Sequence, residues 1–148
     1  MGDLPGLDYS LRPAMKITLF SHDVSSNCFG RAWLLADILR RRHEVEVVGP
    51  AFGEGVWAPC AEAPFPVRAY AAGRWPGFWS TARRIVAEAG GDVLLAVKAM
   101  PTSFGLALAA RRERRRPLLL DTDDWELGFY LAEEAERGLS APLSALKW

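Results

Sequence analysis

Short, uninterrupted apolar runs alternate with segments of helical period, and this alternation constrains the chain more than any other feature. Met15-Lys-Ile-Thr-Leu-Phe-Ser21, Asp92-Val-Leu-Leu-Ala-Val97 and Pro117-Leu-Leu-Leu-Asp121 read as strands buried on both faces. Glu44-Val-Glu-Val-Val48, closed by Gly49-Pro50, and the shorter Val67-Arg-Ala-Tyr70 make five. Between them, Arg31 to Arg42 repeats Ala32, Leu35, Ala36 and Leu39 at helical spacing and ends in three arginines, which suit the negative end of a helix dipole. Pro76 to Ala89 presents Phe78, Ala82, Ile85, Val86 and Ala89 on one face and stops at Gly90-Gly91. A third helix is expected through Phe104, Ala107, Leu108 and Arg111, capped by Thr102 or Ser103. The pattern predicts an α/β fold, a Rossmann-like parallel sheet of about five strands with helices on both faces.

The 148 residues suit one domain, with half of them apolar and a formal net charge of zero. Residues 1–14 read as a flexible leader, 15–137 as the domain and 138–148 as a truncated tail. A Gly/Pro-rich stretch up to Pro66 has the length of a functional or mobile loop. From Trp125 to Gly138 the chain is acidic and helical in character, and Pro142 breaks anything beyond. No apolar run reaches the ~18–20 residues that span a bilayer, and the first residues lack a signal-peptide layout. Met1-Gly2 resembles a myristoylation start, but Gly6 stands where Ser or Thr is needed. Cys28 and Cys60 form neither a disulfide framework nor a metal motif, so a reducing, cytoplasmic setting is expected. Charge neutrality argues against a dedicated nucleic-acid binder.

Parallel sheets bind ligands beyond the carboxyl ends of their strands, which directs attention to the loops 21–31, 98–103 and 121–126. The first, Ser21-His-Asp-Val-Ser-Ser-Asn-Cys-Phe-Gly30-Arg31, has a single glycine in place of GxGxxG, which disfavours a nicotinamide or flavin enzyme. Ser25, Ser26 and Asn27 can hydrogen-bond sugar hydroxyls or a phosphate, or Ser26 or Asn27 can cap the helix. His22 reads as a strand-end hydrogen-bonding residue rather than a catalyst. Lys98 follows a strand directly, placed to meet an anion, to snorkel, or, the reading preferred, to pair with an acid of the 121–126 group. Asp121-Thr-Asp123-Asp124-Trp125-Glu126 gathers four carboxylates, which fits sugar-hydroxyl binding, general-base work, a metal or helix capping. Asp121-x-Asp123 also mimics the opening motif of haloacid-dehalogenase-like phosphatases, but it lies on the last strand and Trp125 stands where Thr or Val is needed. Arg111, Arg112, Arg114, Arg115 and Arg116 form a basic edge: a solvated helix end or, on a sharper reading, a contact for anionic lipid headgroups.

In order and spacing, residues 15–130 resemble the N-terminal, acceptor-side half of a GT-B glycosyltransferase of family four, the retaining group-1 type. The landmarks are Met15-Lys-Ile-Thr-Leu-Phe, Leu34-Leu-Ala-Asp-Ile-Leu-Arg-Arg-Arg-His-Glu-Val-Glu-Val-Val48, Asp92 to Val97 with its following helix, and Pro117 to Asp121. Arg42 stands where the family usually has Gly, only Gly30 remains of a paired-glycine loop, and Asp123 falls about where many members carry a His near the transferred sugar. The resemblance implies an enzyme, a hexosyltransferase moving a sugar from a nucleotide-sugar donor to a sugar or lipid-linked acceptor in glycan or glycolipid synthesis. Asp123 is then the catalytic candidate, and Ser25, Ser26, Asn27, Gly30, Lys98 and Asp124 the substrate-binding ones. Neither a cofactor nor a metal is called for, since the nucleotide-sugar is a substrate. The donor would be held by a second, C-terminal domain that is absent here, so the fragment alone is expected to be inactive. Its setting would be cytoplasmic, peripheral to the inner membrane face if the arginine edge meets lipid. The alternatives are a nucleotide-sugar epimerase of the same fold and a non-enzymatic, receiver-like ligand-binding module. A receiver needs paired acids after its first strand and a Lys after its last, and here the order is reversed.

Overall fold

The computed structural model describes residues 14–122 and Gly128. Asp123, Asp124, Glu126, the expected acidic helix, the leader up to residue 13 and the tail lie outside the described residues. The order is β1 (Lys16–Phe20), α1 (Phe29–Leu39), β2 (Glu44–Ala51), β3 (Val67–Ala71), α2 (Phe78–Glu88), β4 (Val93–Val97), α3 (Leu106–Glu113) and β5 (Leu118–Asp121). All neighbours in the sheet run parallel, in the order β3-β2-β1-β4-β5. The α/β Rossmann-like arrangement read from the alternation of runs is present.

Alternate residues of the central strands feed two cores. Leu19, Val47, Leu95 and Val97 face α1, whose small Ala32 and Ala36 let the helix lie close to the sheet. Phe20, Val48, Leu94 and Ala96 face α2 and α3, meeting Ile85, Val86, Ala107 and Ala110. The apolar face expected for α2 is the buried one. That of α3 is rotated: Leu106, Ala107 and Ala110 are buried, whereas Leu108 and Arg111 are exposed.

Several local expectations need correction. The expected side-chain caps are not made. Cys28 is the α1 N-cap, and the carbonyls of Ser26 and Asn27 accept the N–H groups of Phe29 and Gly30. Thr102 and Ser103 sit in a wide π-helical turn, Pro101–Gly105, that delays α3 to Leu106. α1 stops at Leu39, whose carbonyl accepts the N–H groups of Arg42 and His43. β2 runs through Gly49-Pro50 instead of closing there, because β1 ends opposite Val48 and beyond it β2 pairs only with β3. At Gly49 a Cβ would stand 2.8 Å from the Ser21 carbonyl oxygen and 2.9 Å from Val24, so the strand passes under the β1–α1 loop only as glycine. β5, read as buried on both faces, is an edge strand with Leu119 57% and Leu120 41% exposed. It has one sheet neighbour, and of the described helices only α3 packs on it to any extent.

Candidate functional site

Strand order reverses between β1 and β4, so the loops after these two strands flank the crevice where open parallel sheets take ligands. His22, the second residue after β1, hydrogen-bonds through Nδ1 to the Thr102 hydroxyl, and Thr102 Oγ1 donates to the His22 carbonyl at 2.9 Å. This two-way bond ties the loops across the switch point. Reading His22 as a strand-end hydrogen-bonding residue agrees with that geometry.

Lys98 is the first residue beyond β4 and has φ of 71°, in the left-handed region that costs a side chain about 1–2 kcal/mol. Its N–H donates to the Asp121 carbonyl at 2.9 Å, and its own carbonyl accepts from the buried Ser103 hydroxyl at 2.7 Å. The conformation is therefore fixed from both sides, turning the chain sharply at the crevice. The Asp121 carboxylate is met by Arg31 of α1 in a two-pronged contact, Nε to Oδ2 at 2.7 Å and Nη2 to Oδ1 at 2.8 Å. The first acid of the cluster thus pairs with Arg31; the other acids expected to meet Lys98, Asp123, Asp124 and Glu126, lie outside the described residues. Chiefly through these hydrogen bonds, against an opposing effect of burial, Arg31 holds the Asp121 carboxyl below its ordinary range.

On the other side of β1, Asp23 organises the loop. Its Oδ1 accepts the Ser25 N–H at 2.9 Å and the Ser25 hydroxyl at 2.6 Å, an Asx turn closed twice. The Phe52 N–H approaches the same oxygen at 3.5 Å, and the Gly53 N–H donates to Ser25 Oγ at 2.8 Å. Burial pushes the Asp23 carboxyl up, but the hydrogen bonds from Ser25, Ser26 and Phe52 outweigh it and leave the group below its usual range. Ser25 is thus engaged in joining the β1–α1 loop to the end of β2. Asn27 is exposed. Gly30 lies in the first turn of α1, where a Cβ would meet only Trp57 at an ordinary 3.5 Å, so packing does not demand glycine there.

Ser25, Ser26, Asn27, Gly30 and Lys98 therefore lie along one edge of the sheet, with Lys98 at the switch point and Ser25 toward β2. Asp123 and Asp124 lie outside the described residues. Three residues that the sequence did not mark as site candidates are central to the edge: Asp23, Arg31 and Thr102, the last expected only as a helix cap. Asp23-Val24-Ser25 carries the Asx-turn pattern, a signal available in advance; nothing local marks Arg31 as the partner of a residue ninety positions away. Among the described residues, no three His, Cys, Asp or Glu side chains gather as a metal-ligand set.

Fold and site together define a parallel α/β domain whose polar loops meet at its strand-order reversal. Compared with protein-family models, curated proteins and solved structures, the chain matches none.

Proposed function

We propose that this chain is the acceptor-side half of a retaining glycosyltransferase of GT-B architecture, acting on a nucleotide-sugar donor and a sugar or lipid-linked acceptor. The observation that carries the reading is the single polar edge at the strand-order reversal, where the β1 and β4 loops are joined by His22 and Thr102 and where β5 ends in Asp121. Transfer with retention needs stabilisation of an oxocarbenium-like centre and of a leaving diphosphate. In this reading most cationic stabilisation comes from a donor-binding domain, Asp123 lies near the transferred sugar, and Lys98 supplies a positive charge at the switch point. Asp23 and Ser25 shape the loop that carries Ser26 and Asn27 toward the acceptor. Asp124 and the Gly30 turn complete the acceptor side.

The test is sugar transfer by the full gene product, using radiolabelled nucleotide-sugars with lipid and oligosaccharide acceptors. Label is expected to move to an acceptor with its anomeric configuration retained, and Asp123→Ala is expected to lower turnover by about 100-fold or more. Failure of every donor and acceptor pair would overturn the reading. Acceptor-independent conversion of the donor would replace it with epimerisation, and undiminished turnover by the variant would remove Asp123 from the site.

A further inference from the structure

We propose that the outer face of α2 docks this protein onto anionic phospholipid membranes, with Trp75 and Trp79 as its anchors. Both indoles stand in solvent, Trp75 63% and Trp79 52% exposed, and they meet edge to face with centroids 6.0 Å apart. Two large apolar side chains left out of a core on adjacent surface call for an occupant. The surrounding charge decides which. Around them the sequence places Arg74, Arg83 and Arg84, and the one acid of α2, Glu88, is engaged by the Tyr70 hydroxyl and Arg84. Arg74 and Arg83 border the tryptophans, and the Arg83 guanidinium lies over the Trp79 ring at 5.5 Å.

Indoles beside arginines match the phosphate-level zone of a bilayer, where amphipathic rings sit and basic groups meet headgroups. A carbohydrate platform would place acceptors such as carboxylates or amides beside an open ring face, whereas Trp79 has an arginine over its face and Ser80 donates to the Gly77 carbonyl. Among the described residues no helix is long and apolar enough to cross a membrane, so the contact is peripheral.

A second basic patch lies at the end of α3, where Arg111, Arg112 and Arg115 line a groove of about 710 Å³ with Leu108, Arg116 and Pro117. Arg116, expected to share in a lipid contact, is committed to the fold: its guanidinium donates to the carbonyls of Ala89, Gly91 and Ala110 at 2.8, 2.9 and 3.2 Å. At the other end of the face, Phe78 stacks on Phe52, whose backbone adjoins Asp23, so docking brings the polar edge near the membrane surface. The inference does not depend on transferase activity, because vesicle binding needs neither donor nor acceptor.

Sedimentation of the full chain with phosphatidylcholine vesicles, with and without about one third phosphatidylglycerol, is the test. Binding is expected only to the anionic vesicles. Trp75→Ala with Trp79→Ala should weaken it at least about tenfold, and Arg74→Glu with Arg83→Glu at least as much, since each basic residue contributes about fivefold. All four side chains are exposed, and unchanged thermal melts of the variants would show that the fold is intact. Absent binding, or binding indifferent to the tryptophan pair, would overturn the proposal. So would a doubled mass in vesicle-free solution that the tryptophan variant abolishes, which assigns the face to a second copy.

Discussion

The two edges of the sheet use the same kinds of residue in opposite ways. At the amino-terminal edge, Glu46 points inward with its side chain only 5% exposed. It accepts from Thr18 Oγ1 at 2.7 Å and the Gly90 N–H at 3.2 Å, and it pairs with Arg68. Gly91 N–H donates to the same Thr18 hydroxyl at 2.8 Å, and Arg68 reaches on to the Glu88 carbonyl at 3.1 Å. These bonds clamp the turn between α2 and β4 onto β1 and β2. At the carboxyl-terminal edge, Asp23 and Asp121 are also paired, but by loop and helix groups that remain partly exposed. Sealed charges hold the fold together, because no water can replace a lost partner. Half-exposed ones can exchange a partner for a ligand at small cost.

The largest expected effect therefore lies far from the crevice. Glu46→Ala strands the Thr18 hydroxyl and the Gly90 N–H and leaves Arg68 without its buried partner, at an expected cost of about 3 kcal/mol in urea unfolding. Glu46→Gln should cost less, because the amide oxygen can still accept from Thr18. Burial raises the Glu46 carboxyl, but Thr18, the Gly90 N–H and Arg68 together bring it below its ordinary value. A carboxyl depressed in the folded state contributes stability that is present above the unfolded value, about pH 4.3, and lost as pH falls through the folded one. Glu46→Gln should accordingly flatten the acid limb of stability below about pH 4.5. An unchanged acid limb would dissolve the contrast between the two edges.

Gly91→Ala tests the same clamp sterically. An added Cβ would lie 2.5 Å from the Thr18 nitrogen and 2.9 Å from the Val93 carbonyl oxygen, both backbone atoms that cannot swing aside. The expected loss is about 2 kcal/mol by the same unfolding measurement. Gly30→Ala, with only an ordinary contact to Trp57, serves as the tolerated control at the opposite edge.

The sequence made the sheet legible because its signal is local. Runs such as Val93 to Val97 are too apolar for a surface, and Gly90-Gly91 and the arginines after Leu39 mark helix ends within a few residues. Parallel order follows from the alternation. What depends on distant partners was not legible. Nothing in Glu44-Val-Glu-Val-Val48 separates exposed Glu44 from buried Glu46, and alternation with valine makes both look solvated. Leu118 to Leu120 reads as a central strand because three leucines look alike on either side of a sheet, and only the topology makes β5 an edge. Thr102 and Ser103 look like caps from their types alone. Their hydroxyls instead reach back to His22 and Lys98, which the π-helical turn brings within range. At the site, the rim was legible as a set of loops after strands and Asp23-Val24-Ser25 carried an Asx-turn pattern, whereas the pairing of Asp121 with Arg31, ninety positions away, left no local sign.

At the carboxyl edge, Asp121→Asn should cost only about 1.5 kcal/mol, since Arg31 is over a third exposed and water can stand in for the lost carboxylate contact. Arg31→Ala combined with Asp121→Asn should cost less than the sum of the single changes, the excess being the coupling energy of the pair. Because the Asp121 carboxyl is held low in the folded state, its contribution is present above the unfolded value, about pH 3.9, and is lost as pH falls through the lower folded one, below which the variant and the parent should converge. A loss comparable to that of Glu46→Ala would show that this edge, too, is structural.

The smallest effect isolates backbone strain at the crevice. Lys98→Ala and Lys98→Gly both remove the ammonium group and whatever it contacts, so their difference reports only on the Cβ at φ 71°. Glycine relieves that strain but loses more entropy on folding, which leaves Lys98→Gly about 1 kcal/mol more stable than Lys98→Ala. Differential unfolding of the two variants measures the gap directly. If alanine proves equal or better, the turn after β4 is not held against a strain, and the crevice loses its one feature that packing alone does not require. If glycine is better yet the parent lysine is the form that binds acceptor, the strained position is kept for the charge it carries into the crevice.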